Sequence, residues 1–277
     1  MDIRRIAAFS DGDSGGNPAG VSIADVLPDA SAMQRIAVEV GFSETVFAAP
    51  IDDGWRVRYF SPESEVPFCG HATIALGAAL VLEHGNGVFA LKLNNANITV
   101  DGRRAGRTII AALQSPSTQS TAAEPQLVAD ALSLFGYAHA DLDPNIPPAL
   151  AQAGATHLVL ALHSRKTLSE MVYELDAGRT LMNRAGLVTI VLAYAETPQC
   201  FHTRNPFASG GVYEDPATGA GTAALAGYLR DFGWPHGGMI DIVQGEDMGS
   251  RSLLRAELSP IAGSSIRVSG TARVMHR

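Results

Sequence analysis

Residues 65–80 read EVPFCGHATIALGAAL, and residues 214–229 repeat this stretch as EDPATGAGTAALAGYL. Gly70 and Gly219, 149 residues apart, align seven identical positions, among them the Glu, Pro, Gly and Thr that begin each copy. The apolar residues after each Gly fall on nearly every side of a helix, which predicts a buried helix in each copy. The repeat therefore indicates an α+β fold of two similar domains, each a curved β-sheet wrapped around a central α-helix.

Length and composition narrow the class of protein and its partners. A chain of 277 residues suits two domains, and 46% hydrophobic with 17% charged residues is typical of a globular protein. The formal net charge of −8 argues against a nucleic-acid partner, because such affinity comes largely from Lys and Arg that neutralise phosphates. Two cysteines are too few for a disulfide framework, and no CxxC or HExxH spacing occurs, so we expect a reducing compartment and no metal.

The sequence also carries no sign of a membrane or export segment. Its first residues contain too short an apolar stretch for a signal peptide, and no apolar run of 18 residues occurs. We therefore predict a cytoplasmic protein without a membrane partner.

Two local patterns organise the chain outside the repeat. Asp29 can cap a helix that Gly41 ends, and this helix leads into a short predicted strand at Ser43–Phe47. Residues 114–124 are rich in Ser, Thr, Pro and Gln, which predicts a linker and a domain boundary.

The Pro-x-x-Gly turns at Gly70 and Gly219 are candidate anion sites. A helix that begins at such a turn has unpaired backbone N–H groups and the positive end of its dipole at the same place. The shared Glu, Pro, Gly and Thr suggest a common anion-holding frame for one ligand. The alternative is that each Gly serves only the packing of helix on sheet.

Three acid–base side chains stand in or near these segments. His71, in the first turn of an apolar helix, would be kept neutral by the dipole and could accept or relay a proton, or it is a buried structural histidine. Asp215 lies beside Glu214 at the matching place, where both acids could simply cap the helix. Glu44 stands among apolar and hydroxylic neighbours, where burial would suit its carboxyl to general acid–base work, unless it lies exposed on an edge strand.

Five stretches, taken together and in order, resemble the PhzF-like family of phenazine biosynthesis, which has the diaminopimelate epimerase-like fold. They are Gly15–Val21, Ser43–Phe47, Phe60–Glu65 with Cys69–Thr73, Arg204 through Glu214–Gly219, and Gln244–Gly249. The resemblance implies two domains, each a curved or barrel-like sheet around a helix, with the active site in the cleft between them. It places residues 1–115 and 264–277 in the N-terminal half and residues 116–263 in the C-terminal half.

The resemblance also implies residue roles and an absence of cofactors. Glu44 would move the proton, and His71 and Asp215 would assist as catalytic residues, without a metal or an organic cofactor. The implied partners are a small-molecule carboxylate substrate and, as in many relatives, a second copy in a homodimer. The residues implied to bind substrate are Asn17, Cys69, Gly70, Thr218, Gly219 and Ala220.

Two departures from the family pattern affect the expected pocket. Relatives commonly carry Ser where this chain has Ala220, which removes one hydroxyl, and Arg204–Phe207 departs from the commoner Arg-x-Phe-Ala-Pro spacing. Both departures leave the identity of the substrate open.

The leading hypothesis is a cofactor-independent isomerase that transfers a proton on a small carboxylate-bearing metabolite bound between the two domains. An alternative is a metabolite-binding or interaction protein that keeps the scaffold without turnover. A third is an amino-acid epimerase or racemase, but such enzymes use two cysteines, and the repeat partner of Cys69 is Thr218.

Overall fold

Eight strands of the first half form a closed ring of backbone pairing around one apolar helix. The computed structural model describes residues 2–275, and the first unit holds the residues up to Gln114 with those from Ser269 onward. Its elements are β1 (Arg4–Ala8), β2 (Asn17–Ile23), α1 (Ala30–Val40), β3 (Thr45–Ile51), β4 (Gly54–Phe60), β5 (Glu65–Val66), α2 (Gly70–His84), β6 (Gly87–Lys92), β7 (Asn97–Ala105), β8 (Thr108–Gln114) and the final strand β17 (Arg267–Val274).

The ring has the order β1-β2-β3-β4-β6-β7-β8-β17, and β17 pairs again with β1. The pairs β2–β3 and β4–β6 are parallel, whereas β1–β2, β3–β4, β6–β7 and β7–β8 are antiparallel. The short strand β5 adds to β4 outside the ring. Closure into a barrel leaves no unpaired sheet edge among the ring strands.

Helix α2 runs through this barrel because it has no polar face to turn to water. Its residues from His71 to Val81 are all buried, and it packs against β1, β2, β3, β6, β7 and β8. Glycine permits the closest approach: a Cβ on Gly102 of β7 would stand 2.4 Å from Val81 Cγ2 and 3.1 Å from the Gly77 carbonyl oxygen.

The second unit comprises residues 115–268. Its elements are β9 (Gln119–Ala122), α3 (Pro125–Phe135), β10 (Ala149–Gln152), β11 (Thr156–Ala161), α4 (Arg165–Ser169), α5 (Leu175–Ala185), β12 (Thr189–Thr197), β13 (Cys200–Phe207), β14 (Val212–Asp215), α6 (Gly219–Phe232), β15 (Met239–Gln244) and β16 (Ser252–Glu257), with a 3₁₀ turn at Glu246–Met248.

The second unit repeats the strand pairing of the first. β10–β11 is antiparallel, β11–β12 parallel, β12–β13 antiparallel, β13–β15 parallel with β14 beside β13, and β15–β16 antiparallel. The first unit shows the same succession from β1 to β7. Helix α6 is buried from Gly221 to Arg230 and packs against β9, β10, β11, β12 and β16. The predicted fold, two similar halves that each wrap a curved sheet around a central helix, is confirmed.

The capping residues of α1 match the sequence pattern. The Asp29 side chain accepts a hydrogen bond from the Ala32 N–H at 2.8 Å, and Gly41 closes the helix in the left-handed conformation at φ 71°. The strand expected from Ser43 begins at Thr45, so Glu44 lies just before it.

The expectation that residues 114–124 form only a linker is wrong, because β9 lies inside this stretch and pairs with β10 from Gln119↔Gln152 to Ala122↔Ala149. The side chains of β9 face largely outward, so its composition resembles that of a loop, whereas its backbone pairing makes it a strand. Within residues 2–275, no helix is both long enough and apolar enough to cross a bilayer.

Candidate active site

Glu44 is buried at the end of the connection from α1 to β3. Gly41 ends α1, and the buried residues 45–49 enter the barrel as the first part of β3. Glu44 comes directly before them, so its side chain is buried as well. The Glu44 residue is 8% exposed, and its carbonyl oxygen accepts a hydrogen bond from the Gly20 N–H at 3.2 Å. The alternative of an exposed edge-strand Glu is therefore wrong.

His71 lies directly beside Glu44. Its Nε2 atom is 3.4 Å from Ser43 Oγ, with which it forms a hydrogen bond, and 3.3 Å from Glu44 Oε2. The second contact has the distance of an ion pair, but its alignment falls short of a hydrogen bond, and within residues 2–275 the buried Glu44 Oε2 has no hydrogen-bond partner.

Cys69 approaches the other ring nitrogen. Its Sγ atom lies 3.3 Å from His71 Nδ1 and 4.0 Å from His71 Nε2, so the thiol lies alongside the imidazole, near both ring nitrogens. A thiol, an imidazole and a carboxyl thus form a compact cluster within reach for proton transfer. The ligand atoms of Glu44, Cys69 and His71 also lie within 4.8 Å of one another, a donor set that could hold a metal ion.

The start of α2 offers backbone donors at the same place. Helix geometry leaves the N–H groups of Gly70, His71 and Ala72 without intrahelical partners, and the N-cap residue Cys69 makes no side-chain capping bond. Thr73 stabilises this turn, since its hydroxyl donates to the Cys69 carbonyl oxygen at 2.7 Å. These donors and the helix dipole suit a carboxylate.

Asn17, the remaining predicted site residue of the first unit, is buried at the start of β2. It pairs in register with Ala8 of β1 and is 2% exposed. A buried amide at a strand end offers both donors and acceptors.

In the second unit, Asp215 ends β14 and shares a hydrogen-bond network with Thr218, the N-cap residue of α6. Thr218 Oγ1 donates to Asp215 Oδ2 at 2.5 Å. Gln244 completes the network: its amide nitrogen donates to the Asp215 carbonyl oxygen at 2.6 Å, and its amide oxygen accepts from the Thr218 N–H at 3.1 Å. Gly219 follows as the first residue of α6, with no side-chain cap at Thr218, and Ala220 comes next.

Two residues that the sequence reasoning did not name belong to this region. Gln244 begins one of the motifs that carry the family resemblance, so the signal was there. Asn205 gave no such signal. It pairs in register with Asp215, its buried Oδ1 has no hydrogen-bond partner in the part of the chain that the structure describes, and its Nδ2 would be 2.7 Å from a Cβ on Gly221.

The repeated Glu has a different role from the one expected. Glu65 accepts two hydrogen bonds from Arg58, at 2.7 and 2.6 Å, and Glu214 forms the same bidentate pair with Arg204. Arg204 also donates to the Ser169 carbonyl oxygen at 2.9 Å. The repeated carboxylates are thus engaged by arginines of the neighbouring strands, so they neither cap a helix nor hold an external anion.

Known proteins share the sequence pattern of this chain. Residues 6–277 match the family described as phenazine biosynthesis-like protein, PhzC-PhzF. An uncharacterized isomerase of Mesorhizobium japonicum is 32% identical over 93% of this chain and 91% of its own length. A trans-2,3-dihydro-3-hydroxyanthranilate isomerase of Pseudomonas aeruginosa is 30% identical over 96% of this chain and 94% of its own.

Solved structures share the fold at lower identity. A PhzF-family phenazine biosynthesis protein of Bacillus anthracis superposes with a TM-score of 0.86, at 20% identity, over 100% of this chain and 98% of its own. A hydroxyproline epimerase of Agrobacterium vitis has a TM-score of 0.64, at 12% identity, over 99% of this chain and 88% of its own. These likenesses show the epimerase-like fold.

Proposed function

The chain belongs to the phenazine biosynthesis-like protein family, PhzC-PhzF, and from that premise we propose that it is an isomerase acting by proton transfer on a small carboxylate-bearing metabolite. Curated relatives are named isomerases, which supports the reaction class. The proposal includes cofactor independence, a cytoplasmic location and a homodimer as expectations.

One observation carries the proposal: among the described residues, the buried Oε2 of Glu44 has no hydrogen-bond partner although the His71 ring nitrogen lies 3.3 Å away. An unpartnered buried polar atom costs about 1–3 kcal/mol, so its presence asks for a reason. A general base that takes a proton from its ligand supplies that reason, because its oxygen must remain available until the ligand binds.

The proposed reaction balances without any further reactant. Glu44 takes a proton from a carbon of the substrate, the electron pair moves into a shifted double bond, and the same carboxyl returns the proton at another carbon. The product is an isomer, and no electron leaves the substrate. His71 stabilises the charge that develops next to Glu44, and the N–H groups at the start of α2 hold the substrate carboxylate.

Further residues of the second unit are proposed for ligand binding. The predicted site residues there are Asp215, Thr218, Gly219 and Ala220. Gln244, which hydrogen-bonds Asp215 and Thr218, is one more candidate. Thr218 Oγ1 donates a hydrogen bond to Asp215 and accepts one from the Gln244 amide nitrogen at 3.0 Å. A hydroxyl held in this way is a poor replacement for the second thiol of a racemase.

The test compares Glu44→Gln with Glu39→Gln, the same substitution at an exposed position of α1. The probe is trans-2,3-dihydro-3-hydroxyanthranilate, the compound in the relatives' name, together with a set of small carboxylates. Loss of a general base lowers kcat about 10²–10⁴-fold, so we expect turnover to fall in Glu44→Gln and to stay unchanged in Glu39→Gln.

Three other outcomes would decide against the proposal. Full turnover by Glu44→Gln would remove Glu44 as the base. In the second outcome, the wild type binds a carboxylate, which a raised Tm shows, yet converts none of the probes. That result would favour the non-catalytic alternative. Inversion of a single carbon in D₂O, without a double-bond shift, would favour a racemase.

A further inference from the structure

A second donor set lies in the second unit, on the hairpin of β12 and β13. Glu196, Cys200 and His202 bring one carboxylate oxygen, one sulfur and one ring nitrogen within 4.8 Å of one another. Glu196 Oε2 is 3.1 Å from His202 Nε2 and 3.5 Å from Cys200 Sγ. Unlike the set around Glu44, this one is open to solvent, with the Glu196 side chain 56% exposed.

Hairpin geometry explains how three residues come to share one point. Cys200 and His202 are two apart on β13 and so point to the same face. On β12 the register shifts between Ala195 and Thr197, which leaves Glu196 as the extra residue of a β-bulge. A bulge redirects the side chain of its extra residue, and here that side chain reaches both partners on β13.

The other nitrogen of His202 is also held. Its Nδ1 lies 2.5 Å from Glu246 Oε1, in the 3₁₀ turn after β15. Arg165 Nη2 donates to the same Glu246 oxygen at 2.5 Å, and to Asp247 Oδ1 at 2.9 Å. A carboxylate that accepts from one ring nitrogen of a histidine is the usual outer partner of a metal-binding histidine, because it fixes the tautomer that offers the other nitrogen as ligand.

We propose that this hairpin is a binding site for a zinc-class divalent ion, with Cys200 Sγ, His202 Nε2 and Glu196 Oε2 as ligands and water in the fourth position. We name the residues Glu196, Cys200 and His202 the hairpin site. Three protein ligands with one open position are typical of exchangeable or catalytic zinc rather than of closed structural zinc.

Two of the three donor–donor distances match those around a tetrahedral ion. Ligand bonds of about 2.3 Å for sulfur and about 2.0 Å for nitrogen and oxygen put sulfur about 3.5 Å from oxygen, and nitrogen about 3.3 Å from oxygen. The corresponding distances of the hairpin site are 3.5 and 3.1 Å. The third pair, Cys200 Sγ and His202 Nε2, lies within 4.8 Å. Binding releases the thiol proton of Cys200 to solvent, so affinity rises with pH.

A mixed donor set also selects the kind of ion. Thiolate and imidazole favour zinc, cobalt and similar ions, whereas magnesium and calcium take oxygen ligands. The rival explanation is an ion-pair network in which a protonated His202 donates to Glu196 and Glu246 and no metal binds.

The experiment uses the full-length protein, stripped of metal and kept reduced. Zn²⁺ is titrated calorimetrically, and Co²⁺ is titrated by absorbance, since a thiolate ligand produces a charge-transfer band. We expect one equivalent to bind, at least tenfold more weakly in Cys200→Ser and in His202→Gln, and the cobalt–thiolate band to vanish in Cys200→Ser. Glu246→Gln, which leaves all three ligands in place, should weaken binding about 10–100-fold.

Cys69→Ser is the matched control, because it changes the other cysteine and the other donor set. Wild-type binding in Cys69→Ser supports the hairpin site. Loss of the cobalt–thiolate band in Cys69→Ser but not in Cys200→Ser would place the ion beside Glu44 and overturn the proposal, as would the absence of stoichiometric Zn²⁺ binding in the wild type. Circular dichroism of each variant separates ligand loss from unfolding, and neither outcome depends on isomerase turnover.

Discussion

Glu44 Oε2 and His71 Nε2 lie 3.3 Å apart in the first unit, close enough for an ion pair yet not aligned for a hydrogen bond. His71 instead bonds Ser43 through the same nitrogen. Within residues 2–275, one oxygen of the carboxyl therefore accepts no hydrogen bond, and other partners hold the imidazole next to it. Such an arrangement suits a base that must exchange a proton with a ligand.

His71→Gln should lower kcat about 100-fold and leave folding intact. The imidazole stabilises charge beside Glu44, but the base itself stays, so the loss should be smaller than in Glu44→Gln. Steady-state kinetics on any substrate found for the wild type measures it. His84→Gln, the same change at the exposed end of α2, serves as the control, and equal losses in both would argue that His71 acts only through helix stability.

The two repeated carboxylates should differ sharply in their effect on stability. In Glu214→Gln, a buried pair with Arg204 is broken, which leaves an uncompensated buried charge and costs about 3–5 kcal/mol. In Glu65→Gln, the pair with Arg58 is partly exposed, with the Glu65 side chain 27% exposed against 2% for Glu214, and such pairs contribute about 0–1 kcal/mol. Urea unfolding of the two variants measures the difference, and equal midpoints would contradict this account.

His157 should make the protein less stable in mild acid. It is fully buried on β11, its Nδ1 lies 2.7 Å from Thr189 Oγ1, and burial lowers its pKa to about 4. The unfolded chain, with a histidine pKa near 6.5, binds the proton first, so stability is complete above about pH 6.5 and falls as the pH drops toward 4. The full loss is about 3 kcal/mol.

His157→Asn, which does not titrate, should flatten that fall, as measured by unfolding midpoints between pH 7 and 4. His139→Asn, at an exposed histidine, should leave the slope unchanged. An unaltered slope in His157→Asn would mean that other groups cause the acid sensitivity.

Gly102→Ala should destabilise the first unit by about 1–3 kcal/mol, the usual cost of overpacking, because the new Cβ would meet Val81 Cγ2 at 2.4 Å. Gly87→Ala on β6 is the control, since there the nearest atom is Phe89 Cζ at 3.9 Å. Thermal unfolding compares them, and an unchanged Tm in Gly102→Ala would show that α2 can shift away from β7.

The sequence alone determined the features that depend on interactions between residues close together in the chain. The apolar run after Gly70 predicted a buried helix, and its repeat after Gly219 predicted a second half of the same fold. Asp29 and Gly41 delimited α1 because capping depends on a few neighbouring residues. Motifs that occur in the same order as in a known family predicted Glu44, His71 and Asp215 as catalytic residues.

Tertiary structure alone decided which distant residues meet. Strand register places Asn205 opposite Asp215 and lets Gln244 hydrogen-bond Thr218. It also pairs the repeated Glu214 with Arg204 instead of with a ligand. Backbone pairing made β9 a strand although its side chains read as a linker. A bulge in β12 assembled the hairpin site from residues whose spacing fits no metal motif. The reason is the same throughout: propensity and capping act over a few residues, whereas register and bulges set contacts between segments that the linear pattern leaves unrelated.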